Sequence, residues 1–372
     1  MNWKNTELKI KDFINNKLFN GMVIKITKDN QEIYFNNFGY SNIEKKLKLK
    51  KDNIFALYSM TKPITAAACL LLIQRGLLSL EDQINKFYPN FNQEIKIKHL
   101  LNMTSGLTYF WNNSESGKEI KHAFDKVENE NISLQDFCEI VSNAEVISKP
   151  GEEWHYGISL DVISGIIEKV AKQNFSEFLQ DNIFEPLNMK DTGFYVKDLT
   201  RKTEVYEFAK TMQGNKLTLN KNFHFLMPFT NKEPHACLGG SGLFSTANDY
   251  TRFLNFLIDG KISDIQFIEE ELLNEMRKDQ LNDKKATFRW TFNKDYSYGY
   301  GVRVRLKNEH TPLTEIGEFG WDGALGSAGL VDPKNKITMT FLSSSYPGNN
   351  KIVQTELFDA VYKDLRELKI IN

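Results

Sequence analysis

The spacing of apolar residues changes character along the chain. Residues 8–18 place apolar positions at helical spacing. Residues 21–27 and 32–40 are rich in β-branched and aromatic side chains, with Asp29-Asn30-Gln31 between them, which predicts a hairpin. The far end is built in the same way. Residues 298–306, 325–331 and 336–343 predict strands, Asp332-Pro333-Lys334-Asn335 supplies the turn between the last two, and 350–368 predicts a closing helix. In the middle the period lengthens: 60–75, 96–102, 134–141, 159–172 and 248–259 repeat apolar residues as helices do, and 78–82 suits a turn into a short helix.

Strands at both ends bracketing a helical middle predict an α+β fold. It is an α/β sandwich, an antiparallel sheet built from both termini and flanked by helices, with an inserted all-helical domain. The division expected is residues 1–60 and 290–372 for the sheet domain and 61–289 for the mainly helical one, with a ligand cleft between them. A length of 372 residues suits about two such units. Residues 111–131 are polar and charged and read as a mobile loop or the edge of a lid.

Charge narrows the partners. Forty-seven Lys and Arg against forty-eight Asp and Glu leave a formal net charge of -1, without the basic excess of a nucleic-acid binder. The lysine-rich stretch 45–51 reads as a solvated hairpin or loop. Cys69, Cys138 and Cys237 stand far apart, without metal-ligand or redox spacing, and the histidines form no H-x-x-x-H pair, so no metal site is expected. The opening residues lack the apolar core and cleavage site of a signal peptide, and the longest apolar run, 66–73, is too short to span a bilayer. The expectation is a cytoplasmic protein with no membrane or nucleic-acid partner; its oligomeric state is left open.

Candidate chemistry begins at Ser59-Met60-Thr61-Lys62, at the head of a predicted helix. Residues three apart share a helix face, so the Lys62 amine can reach the Ser59 hydroxyl. A serine hydroxyl needs a base to become a nucleophile, and a helix N-terminus favours a developing oxyanion. The same four residues also suit an N-cap serine followed by a surface lysine.

The flanking residues resolve the choice. Phe55-Ala56-Leu57-Tyr58-Ser59-Met60-Thr61-Lys62 resembles the nucleophile segment of the class C β-lactamase and penicillin-binding-protein-like superfamily of serine hydrolases. The resemblance continues, in the family's order, through Gly76-Leu77-Leu78-Ser79-Leu80, Leu101-Asn102-Met103-Thr104-Ser105-Gly106-Leu107, Pro150-Gly151-Glu152-Glu153-Trp154-His155-Tyr156, Glu185-Pro186-Leu187-Asn188-Met189, Gly239-Gly240-Ser241-Gly242-Leu243 and Gly320-Trp321-Asp322-Gly323-Ala324. It implies a β-lactamase/transpeptidase-like fold and a set of roles. Ser59 would be acylated by a small-molecule ester or amide. Lys62 and Tyr156 would jointly move its proton, Tyr156 first as base and then as acid. The backbone N–H groups of Ser59 and Ala324 would form the oxyanion hole. Trp321, Asp322, Gly323 and Ile158 would contact substrate. No metal or organic cofactor is implied.

Two departures from the family pattern bear on substrate. Tyr-x-Asn is replaced by Tyr156-Gly157-Ile158, which removes an amide donor. Lys-Thr-Gly or His-x-Gly is replaced by Trp321-Asp322-Gly323, which removes a cation and adds a carboxylate that would repel a substrate carboxylate. Both point away from β-lactams and toward the family VIII carboxylesterase-like branch, with a carboxylic ester as substrate. A β-lactamase or D-aminoacyl peptidase, an acyltransferase, and a non-catalytic binding protein on the same fold are the alternatives. His155 reads as a packing residue beside Tyr156. Ser241 reads as part of a tight turn before a helix capped near Thr246, and Tyr109, Phe110 and Trp111 suit either a wall for an acyl group or loop packing.

Overall fold

The computed structural model describes residues 2–111, 115–223, 226, 231–282, 295–309 and 313–372. The α+β architecture is observed. An eight-stranded sheet runs Tyr296–Tyr298, Arg303–Arg305, Phe319–Asp322, Ala328–Asp332, Ile337–Ser343, Gly21–Lys28, Gln31–Asn42, Leu47–Lys48, with every neighbouring pair antiparallel. The two termini meet at its centre, where Met22 faces Ser343 and Lys28 faces Ile337.

Alternation along Gly21–Lys28 explains why both faces are covered. Met22, Ile24 and Ile26 point into a core shared with the helices Lys4–Asn15 and Phe358–Glu367, through Ile10, Phe13, Phe358 and Val361. Lys25 and Thr27 point the other way. Lys25 donates to Asn248 Oδ1 at 2.6 Å and Thr27 to Asn255 Oδ1 at 2.7 Å, both on the helix Ala247–Asp259 that covers the opposite face. That helix is capped as expected, the Thr246 side chain accepting from the Asp249 N–H. Of the expected domain division, the boundary at 289/290 lies outside the described residues.

Several expected elements shift. The single strand over 298–306 is instead the hairpin Tyr296–Tyr298 and Arg303–Arg305, because Gly299 and Gly301 turn the chain between them, Gly301 at φ +72. The closing helix carries a π-helical turn at Val353–Leu357. The mobile loop or lid edge expected over 111–131 is corrected: Glu115–Glu130 is a helix, and 112–114 lie outside the described residues. Ile120, Ala123, Phe124 and Val127 recur at helical spacing and are buried, a stripe obscured in the sequence by the charges between them. The hairpin Tyr206–Thr211 and Gly214–Leu219 was not foreseen; its outer positions are polar.

The helix Thr61–Gln74 is central. From Thr61 to Leu72 every residue is buried, which accounts for an apolar run without a polar face and places Cys69 in the core. Its N-terminus opens beside the strand Phe319–Asp322. Among the described residues, no helix is long and apolar enough to cross a membrane.

Candidate active site

The segment that carries Ser59 is clamped on both sides. Phe55–Ala56 pairs antiparallel with Phe244–Ser245, the Leu57 N–H donates to Leu243 O at 2.9 Å, and the Tyr250 hydroxyl donates to Met60 O at 3.0 Å. Tyr58 is held at φ +50, a left-handed conformation that costs a non-glycine residue roughly 1–2 kcal/mol. The chain then makes one 3-10 turn, Tyr58–Met60, before the long helix. Ser59 is thereby presented, partly exposed, to a cavity of about 540 Å³.

Two of the predicted residues, Tyr156 and Lys62, converge on the Ser59 hydroxyl. Tyr156 Oη lies 2.6 Å from Ser59 Oγ. Lys62, which is fully buried, donates to Ser59 Oγ at 3.3 Å, to Tyr109 Oη at 3.0 Å and to Gly240 O at 2.8 Å. Its Nζ lies 4.7 Å from the centroid of the Tyr156 ring, a cation–π distance. Trp321 donates from Nε1 to Tyr156 Oη at 3.3 Å, so the phenol oxygen has partners on both sides. Trp154 stacks beside Tyr156 with centroids 5.9 Å apart.

Glycines let these elements close up. A Cβ at Gly157 would stand 2.3 Å from Leu107 O, and one at Gly323 would stand 2.5 Å from Leu57 O. The second keeps the Trp321-Asp322-Gly323 segment against the turn that carries Ser59. Ala324 follows it and lines the same cavity as Ser59; the loop is fixed by Gly323 N–H to Ser327 O at 2.8 Å and Gly348 N–H to Ala324 O at 2.7 Å. Trp321, Asp322 and Gly323 also line the cavity.

Ile158 does not. It is fully buried in the main core at the start of the helix Ser159–Ala171, and its expected contact with substrate is corrected: an apolar side chain at that position turns inward. The expected repulsion by Asp322 is corrected as well. Its carboxylate accepts from the buried Arg303 guanidinium at 2.9 Å and from Gln354 on the π-helical turn, so its charge is largely offset within the protein. Lys351 also lines the cavity, next to Asn350, which donates to Gly323 O at 3.1 Å.

Among the other candidates, His155 faces Glu153, with Nε2 3.4 Å from the carboxylate, and burial pushes its imidazole below the ordinary range. Ser241 donates to Leu226 O. Tyr109 and Trp111 line the cavity, while Phe110 packs edge-on against Phe124 instead. The bond from Lys62 to Tyr109 was not legible in the sequence. Burial pushes the Tyr109 hydroxyl well above its ordinary range, which keeps it neutral as an acceptor for the lysine. Gly240 and Asp161 were also missed. The available signal was a carboxylate, Asp161, inside the largely apolar run Ile158-Ser159-Leu160-Asp161-Val162-Ile163.

A serine at the head of a buried helix, with a lysine one turn on and a tyrosine from a separate segment, defines a β-lactamase-type serine hydrolase fold. The chain belongs to the beta-lactamase family, whose model matches residues 8–361. Esterase EstB of Burkholderia gladioli is similar at 26% identity over 370 residues, covering 92% of this chain and 90% of the esterase. Among solved structures, EstCE1, a hydrolase with promiscuous acyltransferase activity, matches with a TM-score of 0.83 and 22% identity over 96% of this chain and 98% of its own. Simvastatin synthase (LovD) of Aspergillus terreus, unliganded, selenomethionyl derivative, matches at 0.77 and 20% identity over 98% and 97%.

Proposed function

We propose that this chain cleaves carboxylic esters through an acyl-enzyme on Ser59. The observation that carries the proposal is the 2.6 Å contact between Tyr156 Oη and Ser59 Oγ, with Lys62 at the same oxygen. An ammonium has three N–H donors and no lone pair, and Lys62 has three acceptors around Nζ. That arrangement suits a lysine that stays charged, which leaves Tyr156 to take the proton. As phenolate, with the Lys62 ammonium near its ring and the Trp321 N–H on its oxygen, Tyr156 accepts the Ser59 proton while Oγ bonds to the ester carbonyl carbon. The oxyanion that forms faces the backbone N–H groups of Ser59 and Ala324. Collapse breaks the bond to the alcohol oxygen, which receives the proton from Tyr156. Water then cleaves the acyl–Ser59 ester by the same proton path in reverse.

The cavity supports an ester with a sizeable apolar portion. Tyr58, Tyr109, Trp111, Trp321 and Tyr346 give it aromatic walls, and about 540 Å³ falls in the range of small-molecule sites. Similarity to EstB agrees with an ester substrate, and the acyltransferase activity of EstCE1 keeps transfer of the acyl group to an alcohol as a second outcome. The test compares a short p-nitrophenyl ester with nitrocefin, in native protein and Ser59→Ala. The expected result is ester cleavage that Ser59→Ala abolishes, with acyl transfer detected by adding an alcohol acceptor. Efficient nitrocefin turnover without ester cleavage would refute the ester preference.

A further inference from the structure

The Gly239–Gly240 turn carries more than a change of direction. The Gly240 peptide faces two ways. Its carbonyl accepts from Lys62 Nζ at 2.8 Å, and its N–H donates to Asp161 Oδ1 at 2.8 Å. Only glycine permits this, since a Cβ at 240 would stand 2.3 Å from Asp161 Oδ2. Asp161 is fully buried, and its Oδ2 has no hydrogen-bond partner among the described residues. Burying a carboxylate in this way is costly unless a charge answers it.

The groups around Asp161 identify that charge. From the helix Thr61–Gln74 comes the Lys62 ammonium, whose attraction favours the carboxylate. From the loop before Trp111 comes Tyr109, and from the helix Leu134–Val141 comes Cys138, whose thiol lies 4.0 Å from Asp161 O. Burial pushes both of these up, Cys138 to about 12, so both are neutral. Asp161 itself is pushed up by burial to about 6, which leaves it ionised at neutral pH. The rest of the turn is held independently: the Gly239 N–H donates to Ser164 Oγ at 3.2 Å, and Thr65 Oγ1 donates to Gly239 O at 2.7 Å.

We propose that Asp161 is the positioning residue for Lys62: its carboxylate accepts from the Gly240 N–H and so fixes the peptide whose carbonyl receives the ammonium. This rests on the reading of Ser59 and Tyr156 given above. Asp161 touches no reacting atom. It acts by holding the Gly240 carbonyl, and through it Lys62, beside Ser59 and Tyr156.

The test measures the rate of labelling by a fluorophosphonate probe in native protein, Asp161→Ala and Asp161→Asn. The alanine removes the acceptor for the Gly240 N–H, and the asparagine keeps it. The expected result is a rate lower by about tenfold or more in Asp161→Ala and largely restored in Asp161→Asn. Asp161→Ser serves the same purpose should the alanine variant not fold. A labelling rate close to native in folded Asp161→Ala, or a rate in Asp161→Asn as low as in the alanine variant, would overturn the proposal; the second outcome would mark Asp161 as merely structural. Native protein that takes no label would overturn the reading of Ser59, and this inference with it.

Discussion

Replacing Asp161 with asparagine should make stability less dependent on pH, and the size of the effect follows from its burial. The carboxyl rises from 3.8 to about 6 on folding, chiefly through desolvation. A carboxyl raised in the folded state binds protons more readily there than in the unfolded chain. Its contribution to stability is therefore fully present below about 3.8 and is lost as pH rises through about 6. A shift of about two units corresponds to about 3 kcal/mol in total, of which roughly 1 kcal/mol is lost between pH 5 and pH 7. Asparagine carries none of this dependence. Thermal unfolding of native protein and Asp161→Asn at pH 5, 6 and 7 cancels the titration of all other groups when the two midpoints are subtracted. The asparagine variant should gain on the native protein by roughly 1–2 °C between pH 5 and pH 7. A difference that stays constant across that range would refute a carboxyl pushed up by burial at this position.

Other perturbations separate the roles at the site. Lys62→Ala and Tyr156→Phe should each lower ester turnover by at least ~10²-fold, measured with a p-nitrophenyl ester, and near-native rates in either would remove that residue from the proton path. Trp321→Phe keeps the aromatic wall but removes the N–H that reaches Tyr156 Oη at 3.3 Å, so kcat should fall by about tenfold with KM little changed. Asp322→Ala should destabilise the fold by about 3 kcal/mol, because Arg303 is fully buried and would lose its charge partner; an unchanged unfolding midpoint would contradict the pairing.

How much of this was legible in the sequence depended on whether a property is local. The hairpin at the start and the strand over 336–343 follow from alternation along a few residues, and both appear as Gly21–Lys28 with Gln31–Asn42 and as Ile337–Ser343. Helical spacing can bring Ser59 and Lys62 together, but it was the flanking family segments that singled the pair out. Tyr156 was carried by the family's segment order, not by any local rule. What stayed hidden depends on contacts across the fold. Ile158 is too close to Tyr156 in sequence to look like core, yet the first turn of its helix faces inward. Asp322 reads as a free charge until Arg303, nineteen positions upstream, closes on it from the adjacent strand. Gly240 and Asp161 are separated by seventy-nine positions, and no spacing rule joins them. The helix Glu115–Glu130 was obscured for a different reason: its charged face dominates the composition, while its buried stripe is narrow.

Acylation at Ser59 is tested by intact-mass analysis after fluorophosphonate treatment, followed by peptide mapping. One phosphonyl group per chain is expected, on the peptide that contains Ser59, and none on folded Ser59→Ala. A label mapped to another residue, or no label on folded native protein, would contradict it.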